Sequence, residues 1–255
     1  MTLKSWSEMM TMNDEYGASG RKPDVAPGVG QAAGGAVAVP GDGRVSPAAL
    51  MTFAAGDPGE NPWVHGKPRT LPVQVTDYDT AWPARFLAVR GDIAEALGAV
   101  ALAIEHVGST AVPGLRAKPV IDVDVIVADP EREEGYVPQL EALGYTLTVR
   151  ERSWYGHRML RHDSPEVNLH VFGPDCPEHI RHLMFRDWLR EHPQDRQRYA
   201  QAKDTAKVGA DNVPAYNQRK ESVVRDVYAK IFASLGWLQA ARESHSGQGT
   251  QVDAE

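Results

Sequence analysis

Between residues 71 and 238 the apolar positions of this chain fall into helical and strand periods, and outside those limits they do not. Phe86, Leu87, Val89, Ile93 and Leu97 recur at helical spacing behind Asp79, Trp82 and Pro83. That spacing predicts a helix with Asp79 near its N-cap and Gly98 at its end. Residues 100–107 alternate and are rich in β-formers. After a Gly- and Pro-bearing stretch over 108–119, residues 120–127 read as the strongest strand of the chain. Asp129 and Pro130 open a further helix ending near Gly144, and strands are predicted over 145–150, 156–161 and 167–172. Helices follow over 178–191, 194–208 and 215–238, with Pro193 and Pro214 as breakers. Strands in the middle and helices at both ends predict an α+β domain, an α/β two-layer arrangement with a helical C-terminal part.

The flanks differ in kind. From Gly17 to about Thr70 the chain is rich in Gly, Ala and Pro, and such a segment buries too little surface to offset its ordering entropy. The expected organisation is therefore a disordered extension over 1–70, a folded domain over 71–238 and a disordered tail over 239–255. No internal repeat is visible. Composition is ordinary for a globular protein, at 42% hydrophobic and 24% charged residues.

Charge and cysteine content narrow the partners. A net charge of −7 and a pI near 5.7 leave no general basic excess for a phosphate polymer, which argues against nucleic acid and for small phosphorylated ligands. One cysteine, Cys176, supplies neither an internal disulfide nor a thiolate zinc cluster, which fits the reducing cytoplasm. No run approaches the roughly 18 apolar residues of a membrane span. The first residues also lack the apolar stretch of a secretory signal.

The informative chemistry lies in the 120–127 strand. Side chains two apart share a face, so Asp122 and Asp124 project together, roughly 7 Å apart at Cα. Val123, Val125 and Val127 take the other face and anchor the strand in the core. Two neighbouring carboxylates in an apolar run repel each other unless something positive lies between them, so a metal or cationic partner is favoured over a solvated edge strand. Gly108 and Ser109 stand where a strand gives way to a turn, a place where backbone N–H groups converge and a glycine admits a phosphate. By themselves they read equally as a simple turn.

The stretch EHVGSTAVPGLRAKPVIDVDVIV resembles the signature of the GrpB family, and its Gly-Ser followed by Asp-x-Asp is similar to the pattern of the wider nucleotidyltransferase superfamily. The resemblance continues through VNLHVF (167–172), HIRHLMFRDWLREHP (179–193) and YNQRKESVVRDV (216–227). It implies a mixed β-sheet of the nucleotidyltransferase type, a Mg²⁺ cofactor held by Asp122 and Asp124, and a nucleoside triphosphate or related phosphorylated small molecule whose β- and γ-phosphates meet Gly108 and Ser109. Transferring members of that superfamily usually supply a third carboxylate from a later strand, whereas this chain offers Asn168 and His170 there. His170 reads either as a proton acceptor or metal ligand, or as a hydrogen-bonded structural residue. Some members of the family are joined to a dephospho-coenzyme A kinase domain, and this chain carries no such kinase part.

Cations suited to phosphate lie in the same motifs. Arg116 and Lys118 precede the aspartates. His179, His182 and Arg186 follow i, i+3, i+7 and form a stripe that reads as a phosphate grip or as an ordinary solvated face, with Arg186–Asp187 as a structural ion pair. Tyr216 and Lys220 stand one turn apart on the last helix, suited to stack a base and meet a phosphate. Gly66-Lys67 lacks the upstream glycine of a P-loop. There is no Gly-x-Ser-x-Gly, His-Glu-x-x-His or dinucleotide Gly-x-Gly-x-x-Gly, and His157, His162 and His170 have no zinc spacing. Two functions remain: a Mg²⁺-dependent nucleotidyltransferase acting on a small molecule or protein, or a non-catalytic nucleotide- or coenzyme-binding module. Glu105, Asp163, Glu166 or Asp187 near the aspartates would favour the enzyme.

Overall fold

The alternation of 120–127 becomes an interior strand, and the rest of the domain is arranged around it. In a computed structural model describing residues 44–66, 74–207 and 213–239, with the backbone alone at 207 and over 213–219, a short helix α1 (Pro47–Met51) precedes α2 (Trp82–Leu97). Then come β1 (Ala103–Val107), β2 (Ile121–Ile126), α3 (Val137–Ala142), β3 (Thr146–Glu151), β4 (His157–Asp163) and β5 (Glu166–Phe172). Three helices follow, α4 (Pro177–Glu191), α5 (Pro193–Lys207) and α6 (Val213–Ser234).

The five strands make one sheet in the order β1-β2-β5-β4-β3. Only β2 and β5 run parallel; the other three pairings are antiparallel, so the sheet is mixed. The alternation of β2 and β5 divides the sheet chemically. Val123, Val125, Leu169 and Val171 enter a core with Trp82, Val89, Ile93 and Leu97 of α2 and Leu140 of α3. Burying such side chains is worth about 1.5–3 kcal/mol each. The other face carries Asp122, Asp124, Asn168 and His170, and α4 lies over it. That helix joins a second core, where Met184, Phe185 and Leu189 pack with Tyr199 of α5 and Val227, Tyr228 and Ile231 of α6.

The expected elements are all present, with shifted ends. The helix expected from Asp129 is reduced to α3, because Glu133–Gly135 forms a 3-10 turn and Pro138 suits only a first turn. β1 starts at Ala103 because Gly98–Val100 is also a 3-10 turn. Asp79 does not cap α2 directly; its Oδ1 accepts from the N–H of Ala81, the residue at the N-cap.

The expected extension over 1–70 differs more. Its residues 1–43 and 67–70 lie outside the described residues, as does the tail from 240. Residues 44–66 are ordered on the domain. Ser46 Oγ caps α1 by accepting from Ala49 N at 3.2 Å. The guanidinium of Arg181 donates to the carbonyls of Leu50 and Thr52 at 3.2 and 3.1 Å. Further on, Arg150 N donates to Pro62 O and Val64 N to Thr148 O, so this segment pairs along the outer edge of β3. Leu50 also enters the second core, with Val45, Met51 and Phe53 packed against it, but these apolar residues are too few to show a period and the other anchors are largely main-chain groups.

Candidate functional site

Because β2 is flanked by β1 and β5, its two aspartates are not on a solvated edge. Asp124 is 0% exposed and Asp122 7%. Each is answered by a different element. Asp122 Oδ1 accepts from Asn168 Nδ2 at 2.7 Å, directly across the parallel β2–β5 ladder. Burial pushes the Asp122 carboxyl up to about 7, against the opposing pull of the Asn168 amide, Lys118 and Lys220.

Asp124 is held by imidazoles. His179 and His182, one turn apart on α4, each place Nδ1 at 2.8 Å from the same oxygen, Oδ2. Burial pushes Asp124 up, but His182 and His179 overcome it and hold the carboxyl well below the usual range. Its other oxygen, Oδ1, is buried with no hydrogen-bond partner among the described residues. The histidine stripe of the sequence thus faces the sheet rather than solvent. Arg186, its third member, donates to Glu105 Oε2 and His106 O at 2.9 Å and to Asp187 at 2.8 Å, so its charge is committed to carboxylates.

β1 gives way to Gly108, whose φ of 72° and ψ of −169° lie in a region open essentially to glycine. The 3-10 turn that follows presents Ser109, whose Oγ lies 3.2 Å from Lys203 Nζ. Tyr199 also hydrogen-bonds Ser109. Lys203, on α5, is 3% exposed, and its ammonium also donates to Arg116 O and lies over the Tyr199 ring. Burial first, then the charge of Lys220, holds Lys203 well below the ordinary lysine value. Lys220, on α6, is pushed down to about 7 by burial and by Lys118, with Asp122 pulling the other way. Ser109, Lys118, Lys203, Lys220 and Asp122 therefore form one electrostatically connected group.

Lys203 escaped the sequence reading because its helix, PQDRQRYAQAKDTAK, is polar throughout and its target lies 94 residues earlier. Its i, i+4 spacing from Tyr199 was the available signal. Arg116 is turned aside, onto Asp77 and Asp204. Tyr216 lies in α6, in the part whose side chains fall outside the described residues. Of the four carboxylates considered for completing the site, Glu105 is set directly beside Asp124 by the β1–β2 register, and Arg186 takes its Oε2. Asp163 stands opposite Glu166 at the end of the β4–β5 pairing, Glu166 approaches Arg161, and Asp187 binds Arg186 and Arg190. β5 thus turns Asn168 and His170 toward the aspartates, while β1 brings a carboxylate, Glu105, beside Asp124.

This arrangement, on this sheet order, lies within residues 72–230, which match the family described as GrpB protein. The chain belongs to the GrpB family. Among relatives, it is 41% identical over 169 residues to the UPF0157 protein BH1888 of Halalkalibacterium halodurans, covering 66% of this chain and 87% of that protein. It is 30% identical over 196 residues to a protein of Mycolicibacterium paratuberculosis named dephospho-CoA kinase, covering 65% of this chain and only 48% of that one. The crystal structure of a conserved protein GrpB from Enterococcus faecalis superposes with a TM-score of 0.53 at 30% identity, covering 62% of this chain and 99% of that one. The mixed sheet with a helical C-terminal part is thus a GrpB fold. Among the described residues no helix is long and apolar enough to cross a membrane.

Proposed function

We propose that this chain binds a nucleoside triphosphate or a related phosphorylated small molecule together with Mg²⁺, in the manner of a nucleotidyltransferase, and acts in the cytoplasm. The observation that carries the reading is the gathering of Lys203, Lys220 and Lys118 with Ser109 beside Asp122. A polyphosphate carries anionic oxygens that these amines can meet with charge-assisted hydrogen bonds. Gly108 admits the close approach, while Ser109 and Lys203 offer donors to phosphate oxygens.

The donor set fits Mg²⁺ in one particular way. No group of three His, Cys, Asp or Glu poised to hold a metal occurs among the described residues. Mg²⁺ commonly takes one or two carboxylates and completes its shell with water and substrate phosphates. Asp124 Oδ1, buried without a hydrogen-bond partner among the described residues, and the desolvated Asp122 suit a cation that arrives with the phosphates. Such an ion would neutralise charge on the phosphoryl groups. The protein's own part is to orient: Asn168 fixes Asp122, and His179 with His182 fixes Asp124.

A second reading, a non-catalytic nucleotide- or coenzyme-binding module, is favoured by one observation: β5 supplies Asn168 and His170 where a third carboxylate would stand. Relatives named dephospho-CoA kinase, about half of whose length this chain spans, suit a coenzyme-linked role.

Calorimetry with ATP, with and without Mg²⁺, tests the shared part on wild type, Asp122→Asn with Asp124→Asn, and Lys203→Met. Metal-dependent binding lost in the double variant and weakened about tenfold in Lys203→Met, some 1.4 kcal/mol, is the expected result. Binding that ignores both metal and substitutions overturns it. A radiolabel-transfer assay with α-labelled ATP then separates transfer from binding alone.

A further inference from the structure

The segment ahead of the family-matched residues has a hold on both layers of the domain, and the phosphate reading uses none of it. The match begins at residue 72, so residues 44–66 lie before it. The start of this segment belongs to the helical layer. Leu50 of α1 is 1% exposed, inside the core that α4, α5 and α6 share. Phe53 meets two rings of α6: it stands edge-on to Tyr228, with centroids 5.3 Å apart, and tilts against Phe232 at 6.5 Å. The guanidinium of Arg225, also on α6, lies 5.5 Å from the centroid of the same ring.

The far end belongs to the sheet. Trp154, in the turn between β3 and β4, clusters with Ile126 of β2 and Phe172 of β5 and donates its indole N–H to Ala54 O at 3.0 Å. Asp57 N donates to Ser153 Oγ at 2.7 Å. Glu60 grips the same turn with both oxygens: Oε1 accepts from Arg152 N at 2.7 Å and Oε2 from Ser153 N at 3.1 Å. Trp63 then bridges to Val149 of β3. Since β3 is the last strand of the sheet, this pairing covers main-chain groups that would otherwise stand open.

These holds matter to α6 because of what else secures it. That helix packs chiefly on α5 and α4, not on the sheet. Its ties to the sheet therefore run by two routes. One passes through α4, where Arg181 O accepts from the Tyr228 hydroxyl at 3.2 Å and where His179 and His182 reach Asp124. The other passes from Tyr228 through Phe53 and along residues 54–64 to β3. Lys220 stands on α6 about two turns, or roughly 12 Å, before Tyr228. Over so short a length a helix moves as a rod, so the seat of Tyr228 sets the seat of Lys220.

We infer that residues 44–66 are a clasp that ties α6 to the β3 edge and so seats Lys220 at the phosphate site, with Phe53 and Glu60 as positioning residues. The grip on phosphate is then governed by a segment that lies outside the family match. The inference rests on the proposed function for what Lys220 meets, whereas the coupling of Glu60 to α6 stands on the contacts above.

Glu60→Ala in the full-length chain opens the clasp at the end away from α6, and amide hydrogen exchange read by mass spectrometry follows each element. Exchange over residues 220–231 is expected to rise about threefold, while that of β2 and β5 stays as in wild type. Phe53→Ala, at the near end, is expected to do the same, and Glu60→Gln, which keeps an acceptor oxygen, to recover most of the protection. Faster exchange confined to residues 52–64 means that the far end does not reach α6, and equal acceleration of every element means a general stabiliser. Either result overturns the inference, as does an α6 unchanged in Phe53→Ala. Acetylation of Lys220 by limiting acetic anhydride is expected to quicken in Glu60→Ala together with the exchange, and an unchanged rate overturns the seating of Lys220. Inorganic tripolyphosphate is expected to bind Glu60→Ala about threefold more weakly than wild type. Equal binding overturns the link to phosphate. A wild type that binds none strikes the phosphate reading instead, and exchange and acetylation, which involve no ligand, still decide the clasp.

Discussion

Asn168 donates its side-chain amide to Asp122 across 2.7 Å, from the position directly opposite it on a parallel strand. An uncharged partner thus occupies the place where a carboxylate would share a cation with Asp122. Replacing it by Asn168→Asp exchanges a hydrogen bond for repulsion between two buried acids. Without divalent cations the variant is expected to lose about 1–3 kcal/mol of stability. With millimolar Mg²⁺ its melting temperature is expected to rise by more than that of wild type. Thermal unfolding with and without the cation checks both, and a variant indifferent to Mg²⁺ speaks against a cation at this strand position.

The two imidazoles on Asp124 give a second prediction. His179→Ala and His182→Ala each remove one of two donors from a buried carboxylate oxygen, and each is expected to destabilise by about 1–3 kcal/mol. The double variant leaves a fully buried acid without its donors, and about 3–5 kcal/mol is expected, the scale for breaking a buried pair. Chemical denaturation measures all three. A double variant no worse than either single one would mean that the histidines do not share the burden.

A pH dependence follows from Glu133. Burial pushes its carboxyl up, but hydrogen bonds from Arg150 and Arg158, at 2.7 and 2.9 Å, overcome that and hold it below its ordinary value of 4.5. A depressed carboxyl stabilises the fold above its unfolded value, and the contribution is lost as pH falls through the folded one. The urea midpoint of wild type is therefore expected to fall below about pH 4.5 more steeply than that of Glu133→Gln. Parallel curves for the two proteins would sink this assignment.

Arg181 supplies a fourth. It is fully buried, pairs with Glu178, and holds the carbonyls of Leu50 and Thr52 while lying over the Phe53 ring. Arg181→Met strands Glu178 and frees residues 49–53, with an expected loss of about 3–5 kcal/mol. Adding Glu178→Leu is expected to recover much of it, because an apolar pair of similar volume often replaces a buried ion pair without loss. Limited proteolysis near residue 52 and a double-mutant cycle separate anchoring from pairing.

Much of this was legible in the chain. Period-two alternation set Asp122 and Asp124 on one face and Val123, Val125 and Val127 on the other, because each β-residue reverses the side chain. What the pattern cannot hold is the identity of partners from distant elements. The spacing of His179 and His182 showed a stripe, but not that Asp124 lay beneath it. Lys203 sits on a helix with no apolar contrast, so only the folded chain brings it to Ser109. The pairing of Glu151 with His157 was within reach of inference, since they flank the 152–156 turn and a hairpin pairs residues equidistant from its centre. Residues 44–66 were not, because their few apolar contacts, Leu50 chief among them, show no period and the main-chain groups that bind beside them leave no mark in the sequence.

The lysines of α5 and α6 bear on how the protein is made. Synthesis from the N-terminus delivers both aspartates more than seventy residues before Lys203 and nearly a hundred before Lys220. A nascent or prematurely ended chain can carry the acidic half of the site on its sheet while lacking Lys203 and Lys220, the cations proposed to meet phosphate. Ligand binding would therefore report a finished domain, and a phosphorylated ligand would act as a late brace, drawing the last helices onto a sheet already formed.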